Sequence, residues 1–528
     1  MQGERPRRNS GLPSPSDCRA TCPWKKAFRS PSSPAKPALS SSPRATSRPD
    51  GRRRSSWCRS TSGLRSRLGL HLSCPFTAGV SRMRPPLASV DIPGYHGPAT
   101  LLAFSRLARN PLSFFPDVRE RFGDLAWIRI GPERVVLVSD PEHIDALLWH
   151  QQAKLEKDLI TRRLRGVLGE GLLTSEGERW RTHRRRIAPS FQRGDLARYA
   201  NTMREIATTA VHELPISGTV DIWQLASTIS LDVVHQCLFG TDVQIPAERV
   251  GRALEQMMAA FMRELRTMRR FVPEGIPLRT RRTTFAALAD LDAVLLDIIQ
   301  HRRAIPRAPN APHDLLDRLI EARDDAGTAF SDKELRDEAI TLFTAGHETT
   351  ALVITYALTA LSWNPEARAR ALDELDGVES SAAGASQPYL RAVILETLRL
   401  FPPAWGFGRL AVEPVVLGPH TIPAGVSLYV MPWVLHRSTE HFEEPLSFRP
   451  ERWLDGLEQR LPRGTFLPFG GGPRTCVGQH FAMLELTIIL STLLRSHTFD
   501  VDPAHDLDLQ PSVTLRPGGP VPARVSRR

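Results

Sequence analysis

Most of the chain beyond residue 83 has apolar residues at the spacing of amphipathic helices, and alternating patterns are confined to short segments. A helix is expected at Pro111–Phe122, followed by strands at Leu125–Ile130 and Val135–Val138. Helical spacing then dominates as far as about residue 400. A later pair of segments, Val415–Leu417 and Val426–Met431, is expected to form a hairpin. The pattern predicts a mainly α fold with a small β-sheet at one side.

The best-defined helix is expected at 332–362. Ser331 and Glu334 fit a capping box at its start, and Pro365 marks its end. At 1.5 Å per residue it would be about 45 Å long, enough to cross a domain. The segment AGHETT, which begins at Ala345, lies near its middle. Its glycine, acid and hydroxyl residues predict a local opening of the helical hydrogen bonds.

The positive charge is concentrated in the first part of the chain. The whole sequence carries a net charge of +12, but residues 1–82 alone hold 17 Arg and Lys against 3 Asp and Glu, so residues 83–528 carry −2. The globular part therefore gives no reason to expect a nucleic-acid partner. Residues 1–82 are rich in Ser, Pro and Arg and are expected to be a disordered tail. It could be a transit-like extension, a basic interaction arm or sequence upstream of a native start near Met83.

Residues 83–528 show no internal repeat or linker and are expected to form one large domain. Beyond the tail the only cysteines are Cys237 and Cys476, which favours a reducing compartment. The sequence contains neither a run of 18 apolar residues nor a signal-peptide core at its N-terminus. We therefore expect a cytoplasmic protein without a transmembrane segment, and peripheral membrane contact remains open.

The segment FGGGPRTCVG, from Phe469 to Gly478, carries the strongest chemical signal. It places Cys476 on a glycine-rich loop just before an apolar helix, where backbone N–H groups and the helix dipole favour a thiolate. A phosphate-binding loop would need a Lys-Ser/Thr pair that is missing here, and a nucleophilic cysteine would need an assigned base. A buried structural thiol is the remaining alternative. An anionic sulfur in a pocket suits iron.

Five residues of this segment match the pattern F-x-x-G-x-R-x-C-x-G: Phe469, Gly472, Arg474, Cys476 and Gly478. With this motif the chain resembles the cytochrome P450 family. The resemblance implies the fold of that family and haem b, iron protoporphyrin IX, with Cys476 as the iron ligand. It also implies that Phe469, Arg474 and Gly478 contact the haem.

The AGHETT segment is the second match to this family. The resemblance places Ala345, Glu348 and Thr349 over the distal face of the haem, with Glu348 and Thr349 as the catalytic acid and alcohol. A hydroxyl can hold a water molecule, and a carboxyl can relay protons into a cavity that otherwise excludes water. In isolation a solvent-facing Glu and a Thr that bends the helix would explain the same residues.

Glu396 and Arg399 form the third match, an E-x-x-R pair on one helix face. Their apolar surroundings imply burial and a further partner. The resemblance supplies Arg452 from the later segment FRPERW as that partner, with Trp453 in place of the more usual Phe. We interpret the three charged residues as a structural triad that holds the cysteine loop in place.

A fourth group of residues is implied to bind the haem propionates. Indole N–H and guanidinium groups suit carboxylates. The residues concerned are Trp180, Arg184, Arg409 and Arg474. Arg185 and Arg186 extend the basic run, either as a docking surface for an electron donor or as a solvated face.

The resemblance implies a monooxygenase that inserts one oxygen atom of O2 into a hydrophobic substrate. Electrons would come from NAD(P)H through a ferredoxin and a ferredoxin reductase, because the chain ends about 50 residues after Cys476 without a redox domain. The segments expected to shape the substrate pocket are Leu172–Leu173, Met257–Phe271 and Pro402–Phe407. Three segments within the last 140 residues, RLFPPAW, FRPERW and VTLRPGGPVPAR, resemble bacterial carotenoid β-ring hydroxylases. Fatty acids or terpenoids are the alternative substrates. A peroxygenase and a non-catalytic haem protein are less favoured because both catalytic side chains are present.

Overall fold

The computed structural model describes residues 91–130, 133–240, 256–259, 261–263, 279–304, 314–377 and 387–528. The predicted tail 1–82 lies outside these residues. The α-helices of the described residues are Ala99–Arg109 (α1), Pro111–Phe122 (α2), Pro141–Asp145 (α3), Leu159–Leu168 (α4), Gly177–Ile187 (α5), Arg193–Glu213 (α6), Ile222–Phe239 (α7), Arg279–Ala304 (α8), Leu315–Glu321 (α9), Asp332–Trp363 (α10), Pro365–Asp376 (α11), Pro388–Leu400 (α12), Pro432–Leu435 (α13), Leu457–Arg460 (α14) and Gln479–Ser496 (α15).

The strands of the described ranges are short and form four small sheets. They span Leu125–Ile130 (β1), Glu133–Val138 (β2), Leu155–Lys157 (β3), Ser217–Asp221 (β4), Phe407–Ala411 (β5), Val415–Leu417 (β6), His420–Ile422 (β7), Ser427–Val430 (β8), His497–Val501 (β9), Gln510–Pro511 (β10), Leu515–Arg516 (β11) and Pro522–Arg527 (β12). The largest sheet has the order β1-β2-β8-β5-β3. Only the β2–β8 pair in it is parallel. The predicted mainly α fold with a small sheet is confirmed.

Helix α10 lies at the centre of the largest hydrophobic core. Its second half, from Ala351 to Leu361, packs with apolar residues of α6, α7, α12 and α15. Ser331 and Glu334 form the predicted capping box, with each side chain bonded to the other residue's backbone N–H. The packing and the cap together fix the position of the helix that carries AGHETT.

The predicted opening of α10 is wrong, because the helix is continuous from Asp332 to Trp363. The Thr349 hydroxyl donates a 2.7 Å hydrogen bond to the Ala345 carbonyl, as Thr355 does to Ala351. Such bonds can bend a helix slightly, but every residue of α10 stays helical. The glycine serves packing instead, because a Cβ at Gly346 would lie 2.9 Å from a methyl group of Val234 on α7.

The predicted hairpin is also wrong in its pairing. Strand β6 pairs with β7, and the hairpin turns at Gly418, whose φ of +55° favours glycine. The segment predicted as its partner contains β8, which lies between β2 and β5 in the large sheet. Sequence patterning also missed α1, whose residues Leu101 and Leu102 are exposed. None of the helices in the described ranges is long and apolar enough to cross a membrane.

Candidate active site

The cysteine loop is shaped by close backbone contacts. Gly470 and Gly472 have φ values of +72° and +69°, and a Cβ at Gly472 would lie 2.1 Å from the Leu148 carbonyl oxygen. The Cys476 N–H donates a 2.9 Å hydrogen bond to the Phe469 carbonyl, which closes the loop. Helix α15 begins three residues after the cysteine. The loop therefore presents Cys476 from a fixed backbone that only glycine can form at these positions.

The Cys476 thiol does not show the lowered pKa that the sequence predicts. Cys476 has solvent-accessible surface, yet protein atoms crowd around its thiol, and this desolvation raises the pKa of the thiol. The Gly478 backbone and the Arg184 guanidinium act in the opposite direction but do not outweigh it. A bound metal ion deprotonates a coordinating thiol outright, so the thiolate expected here depends on the iron.

A cluster of basic side chains lies beside the loop. Lys157 on β3 is the register partner of Arg409 on β5, and Arg474 from the loop stacks 4.0 Å above the Trp180 ring. Glu176 joins the cluster, since it accepts hydrogen bonds from the Lys157 N–H and from Arg474. The structure thus brings together three of the four predicted propionate ligands and adds Lys157, which sequence analysis missed.

Lys157 gives the clearest sign that the cluster needs an anion. Its residue is only 8% exposed, and its ammonium forms no ion pair or hydrogen bond with the described residues. Burial, reinforced by Arg409 and Arg474, lowers the pKa of Lys157 well below its ordinary value. Glu176 and Asp158 act in the opposite direction but do not outweigh these effects. The site therefore makes it costly to charge Lys157, and a carboxylate among these groups would remove that cost. The donor set therefore fits the two carboxylates of haem.

Arg184, the fourth predicted ligand, lies one helical turn beyond Trp180 on α5. It is half-buried, and its guanidinium forms no ion pair or hydrogen bond within the described part of the chain. Burial lowers its pKa, and the nearby Cys476 favours its charged form. A guanidinium near Cys476 and one turn from Trp180 suits a carboxylate of the same cofactor.

The two arginines that follow are not equally available to an electron donor. Arg186 is buried, pairs with Asp324 and lies 4.6 Å from the Phe330 ring centre. Arg185 forms an exposed pair with Asp325. The docking alternative can therefore apply only to Arg185, since Arg186 is part of the packing.

Ala345 and Thr349 lie four residues apart on α10, and both are accessible. The Thr349 hydroxyl uses its hydrogen on Ala345, so its oxygen can still accept hydrogen bonds from a water molecule. Glu348 is buried at 8% exposure and contacts Thr514 and Arg516 from the C-terminal hairpin. The Thr349 hydroxyl is thus accessible, whereas the Glu348 carboxyl is held by partners that sequence analysis did not identify.

The structural triad is assembled as the sequence predicts. Arg399 and Glu396 are fully buried and form two hydrogen bonds of 2.7 and 2.9 Å, and Arg452 approaches Glu396 at 3.1 Å. Trp453, the departure from the family pattern, donates its indole N–H to Glu396 at 2.8 Å. Although burial alone would raise it, Arg399 keeps the pKa of Glu396 below its ordinary value. The remaining Arg399 donors bind backbone carbonyls of 436, 445 and 447.

Glu396→Ala is expected to lower the free energy of unfolding by about 3–5 kcal/mol, because it leaves buried arginines without a counterion. Denaturant unfolding of the holoprotein measures this change. Glu440→Ala is the matched control, since its side chain is 64% exposed and its partner Arg119 also pairs with Asp124. If Glu396→Ala lowered the free energy of unfolding by only about 0.5 kcal/mol or less, as expected for the control, the structural role would be contradicted.

The predicted pocket segments differ in their packing. Met257, Met258 and Phe261 are buried with Phe343 in a second hydrophobic cluster, so they are core residues, and the rest of Met257–Phe271 lies largely outside the described residues. Leu172 packs partly on the same cluster, and Leu173 is 37% exposed. Within Pro402–Phe407, Trp405 donates its indole N–H to the Ser512 carbonyl at 2.9 Å.

The chain is similar to known proteins of one family. The family model described as Cytochrome P450 matches residues 97–520, and the chain belongs to the cytochrome P450 family. It is 31% identical to cyclooctatin synthase from Streptomyces melanosporofaciens, over 78% of this chain and 90% of that protein. It is 32% identical to pentalenene oxygenase from Streptomyces avermitilis, over 77% and 90% of the two chains.

A solved structure gives the same assignment. The crystal structure of CYP175A1 from Thermus thermophilus superposes with a TM-score of 0.65 at 26% identity, covering 82% of this chain and all of that one. The fold is that of a cytochrome P450, and the protein is an oxidoreductase of the monooxygenase type. The family implies haem as its cofactor.

Proposed function

We propose that the protein hydroxylates a hydrophobic isoprenoid, with the β ring of a carotenoid as the first candidate. The observation that carries the oxygenase part is the joint presence of an accessible cysteine on a fixed loop and of Glu348 with Thr349 on α10. A haem-binding protein without catalysis needs the cysteine but not the acid and the alcohol. When bound through Cys476, haem would supply the activation of O2.

The chain's own residues would then bind the cofactor and move protons. Lys157, Arg184, Arg409 and Arg474 hold the propionates as charge partners, and Trp180 adds an indole N–H. Thr349 orients a water molecule by accepting its hydrogen bond, because its own hydrogen is used on Ala345. Glu348 passes protons inward from solvent. Electrons would come from NAD(P)H through a separate ferredoxin and ferredoxin reductase.

Smaller terpenoids are the second candidate. The names of the relatives favour them: cyclooctatin synthase, pentalenene oxygenase and cyclooctat-9-en-7-ol 5-monooxygenase, the last 30% identical to this chain. The carotenoid proposal is supported instead by the resemblance of the last 140 residues, a region that would govern haem binding more than substrate binding. The two candidates share an apolar isoprenoid ring, and they differ in the length of the molecule.

Incubation of the holoprotein with ferredoxin, reductase and NADPH distinguishes the candidates. The panel contains β-carotene, a cyclic terpene hydrocarbon and a long-chain fatty acid, and products are identified by mass spectrometry. We expect ring-hydroxylated β-carotene as the main product. Faster terpene hydroxylation would replace the carotenoid by the second candidate, and product formation from hydrogen peroxide without the electron donors at an equal rate would indicate a peroxygenase.

A further inference from the structure

The carboxyl group of Glu348 is held by the hairpin of β10 and β11, at the far end of the sequence. Thr514 Oγ1 and Arg516 Nε both donate to the same oxygen, Oε1. The other oxygen, Oε2, accepts no hydrogen bond from the described residues. One oxygen is therefore fixed by two donors, whereas the second can exchange a proton.

The hairpin that carries these donors is itself fixed to the helix and to the turn after α12. The Tyr356 hydroxyl on α10 donates to the Leu515 carbonyl at 2.8 Å, and the Leu515 N–H donates to the Pro403 carbonyl at 3.0 Å. The indole of Trp405 holds the Ser512 carbonyl. Because these bonds surround Thr514 and Arg516, the donors meet Glu348 in a set position.

Arg516 is the cation that pairs with the Glu348 carboxylate. His347, the preceding residue, is buried, and burial lowers its pKa, so its imidazole is neutral near pH 7. The Arg516 side chain remains 29% exposed while that of Glu348 is 11% exposed. The guanidinium thus extends from the buried carboxylate to the solvent.

We propose that Thr514 and Arg516 are positioning residues for proton delivery, which fix Glu348 through Oε1 so that Oε2 is the atom that takes up and releases the proton. This inference rests on the oxygenase function proposed above. Oε2 takes each proton from solvent and passes it to a water molecule at Thr349, and the carboxylate returns to its ionised form. Arg516 balances the charge of that form between transfers.

Arg516→Gln and Thr514→Val test the proposal in the reconstituted holoenzyme. Both variants are expected to lower the ratio of product to NADPH consumed by about tenfold or more and to raise hydrogen peroxide release, since a charged hydrogen bond or an orienting partner is lost. The solvent isotope effect, the ratio of rates in H2O and D2O, should increase because proton delivery becomes slower. Arg516→Lys keeps the cation and should restore part of the coupling.

Arg524→Gln is the matched control, because Arg524 is an exposed arginine on β12 in the same C-terminal region. It should leave the ratio and the isotope effect unchanged. Haem content and melting temperature verify that each variant is folded. Two outcomes would overturn the proposal. In the first, Arg516→Gln and Thr514→Val both keep the wild-type ratio of product to NADPH and the wild-type isotope effect. In the second, the ratio falls but the isotope effect is unchanged and Arg516→Lys restores nothing. Thr349→Ala, measured in parallel, distinguishes failure of this inference from failure of the proposed oxygenase function. If Thr349→Ala lowers the ratio of product to NADPH and the hairpin variants do not, only this inference fails.

Discussion

Cys476→Ala is expected to abolish the red-shifted Soret band of the ferrous–CO complex. The band requires a thiolate as iron ligand, and Cys476 would supply it, because it lies accessible on the fixed loop beside Arg184. The only other cysteine of the described residues is buried in the core. The measurement is the difference spectrum of the reduced protein with and without CO, after reconstitution with haem.

Cys237→Ala provides the control for this spectrum. Burial raises the pKa of Cys237 well above its ordinary value. Cys237 is therefore a neutral thiol on α7 that packs in the hydrophobic core. The variant should keep the red-shifted band, at a modest cost in stability. A normal band in Cys476→Ala would show that another group ligates the iron and would remove the ligand assignment.

Thr349→Ala is expected to separate electron consumption from product formation. The variant loses the hydroxyl that accepts a hydrogen bond from water on the accessible face of α10. Loss of a general-acid route typically costs about 10²–10⁴ in rate, so product should fall far more than NADPH consumption, with hydrogen peroxide accounting for the difference. Parallel assays of NADPH, peroxide and hydroxylated product measure the effect.

Thr355→Ala is the matched control for that variant. Thr355 lies on the same helix and makes the same bond to the carbonyl four residues back, but it is fully buried in the core. Its ratio of product to NADPH should equal that of the wild type. Added hydrogen peroxide should partly restore product in Thr349→Ala. Unchanged coupling in Thr349→Ala would exclude this hydroxyl from proton delivery and leave the cysteine assignment intact.

Local signals in the sequence predict the elements that local interactions determine. Helix α2 and strand β1 have the predicted bounds, and the capping box places the start of α10 correctly. In each case the residues that define the element are neighbours in the chain. Asp140 likewise caps α3, since its side chain accepts a hydrogen bond from the His143 N–H three residues on.

Long-range pairing accounts for the errors. The residue pattern of β8 correctly indicates a strand, but it contains no information about the partner strands. In the structure these are β2 and β5, which are distant from each other in the sequence. The closer glycine turn then pairs β6 with β7. The expected opening of α10 failed for a related reason, since Gly346 reflects the approach of Val234 from another helix.

The same limit applies to the candidate site. The residues recognised from the sequence belong to compact motifs around Cys476, Glu348 and Glu396. Lys157 was missed because a lysine between two acidic residues in a short strand is typical of a surface, and its burial results from pairing with Arg409. Arg516 was missed because 168 residues separate it from Glu348.

Oxygen labelling tests the central claim, that this chain is a monooxygenase, most directly. The holoprotein is incubated with ferredoxin, reductase, NADPH and β-carotene or the terpene under isotopically labelled O2, and the product is analysed by mass spectrometry. The account predicts one labelled oxygen atom in each newly formed hydroxyl group, with NADPH consumed in step with product. A hydroxyl oxygen derived from unlabelled water, or label-free product formed only when peroxide is added, would contradict it.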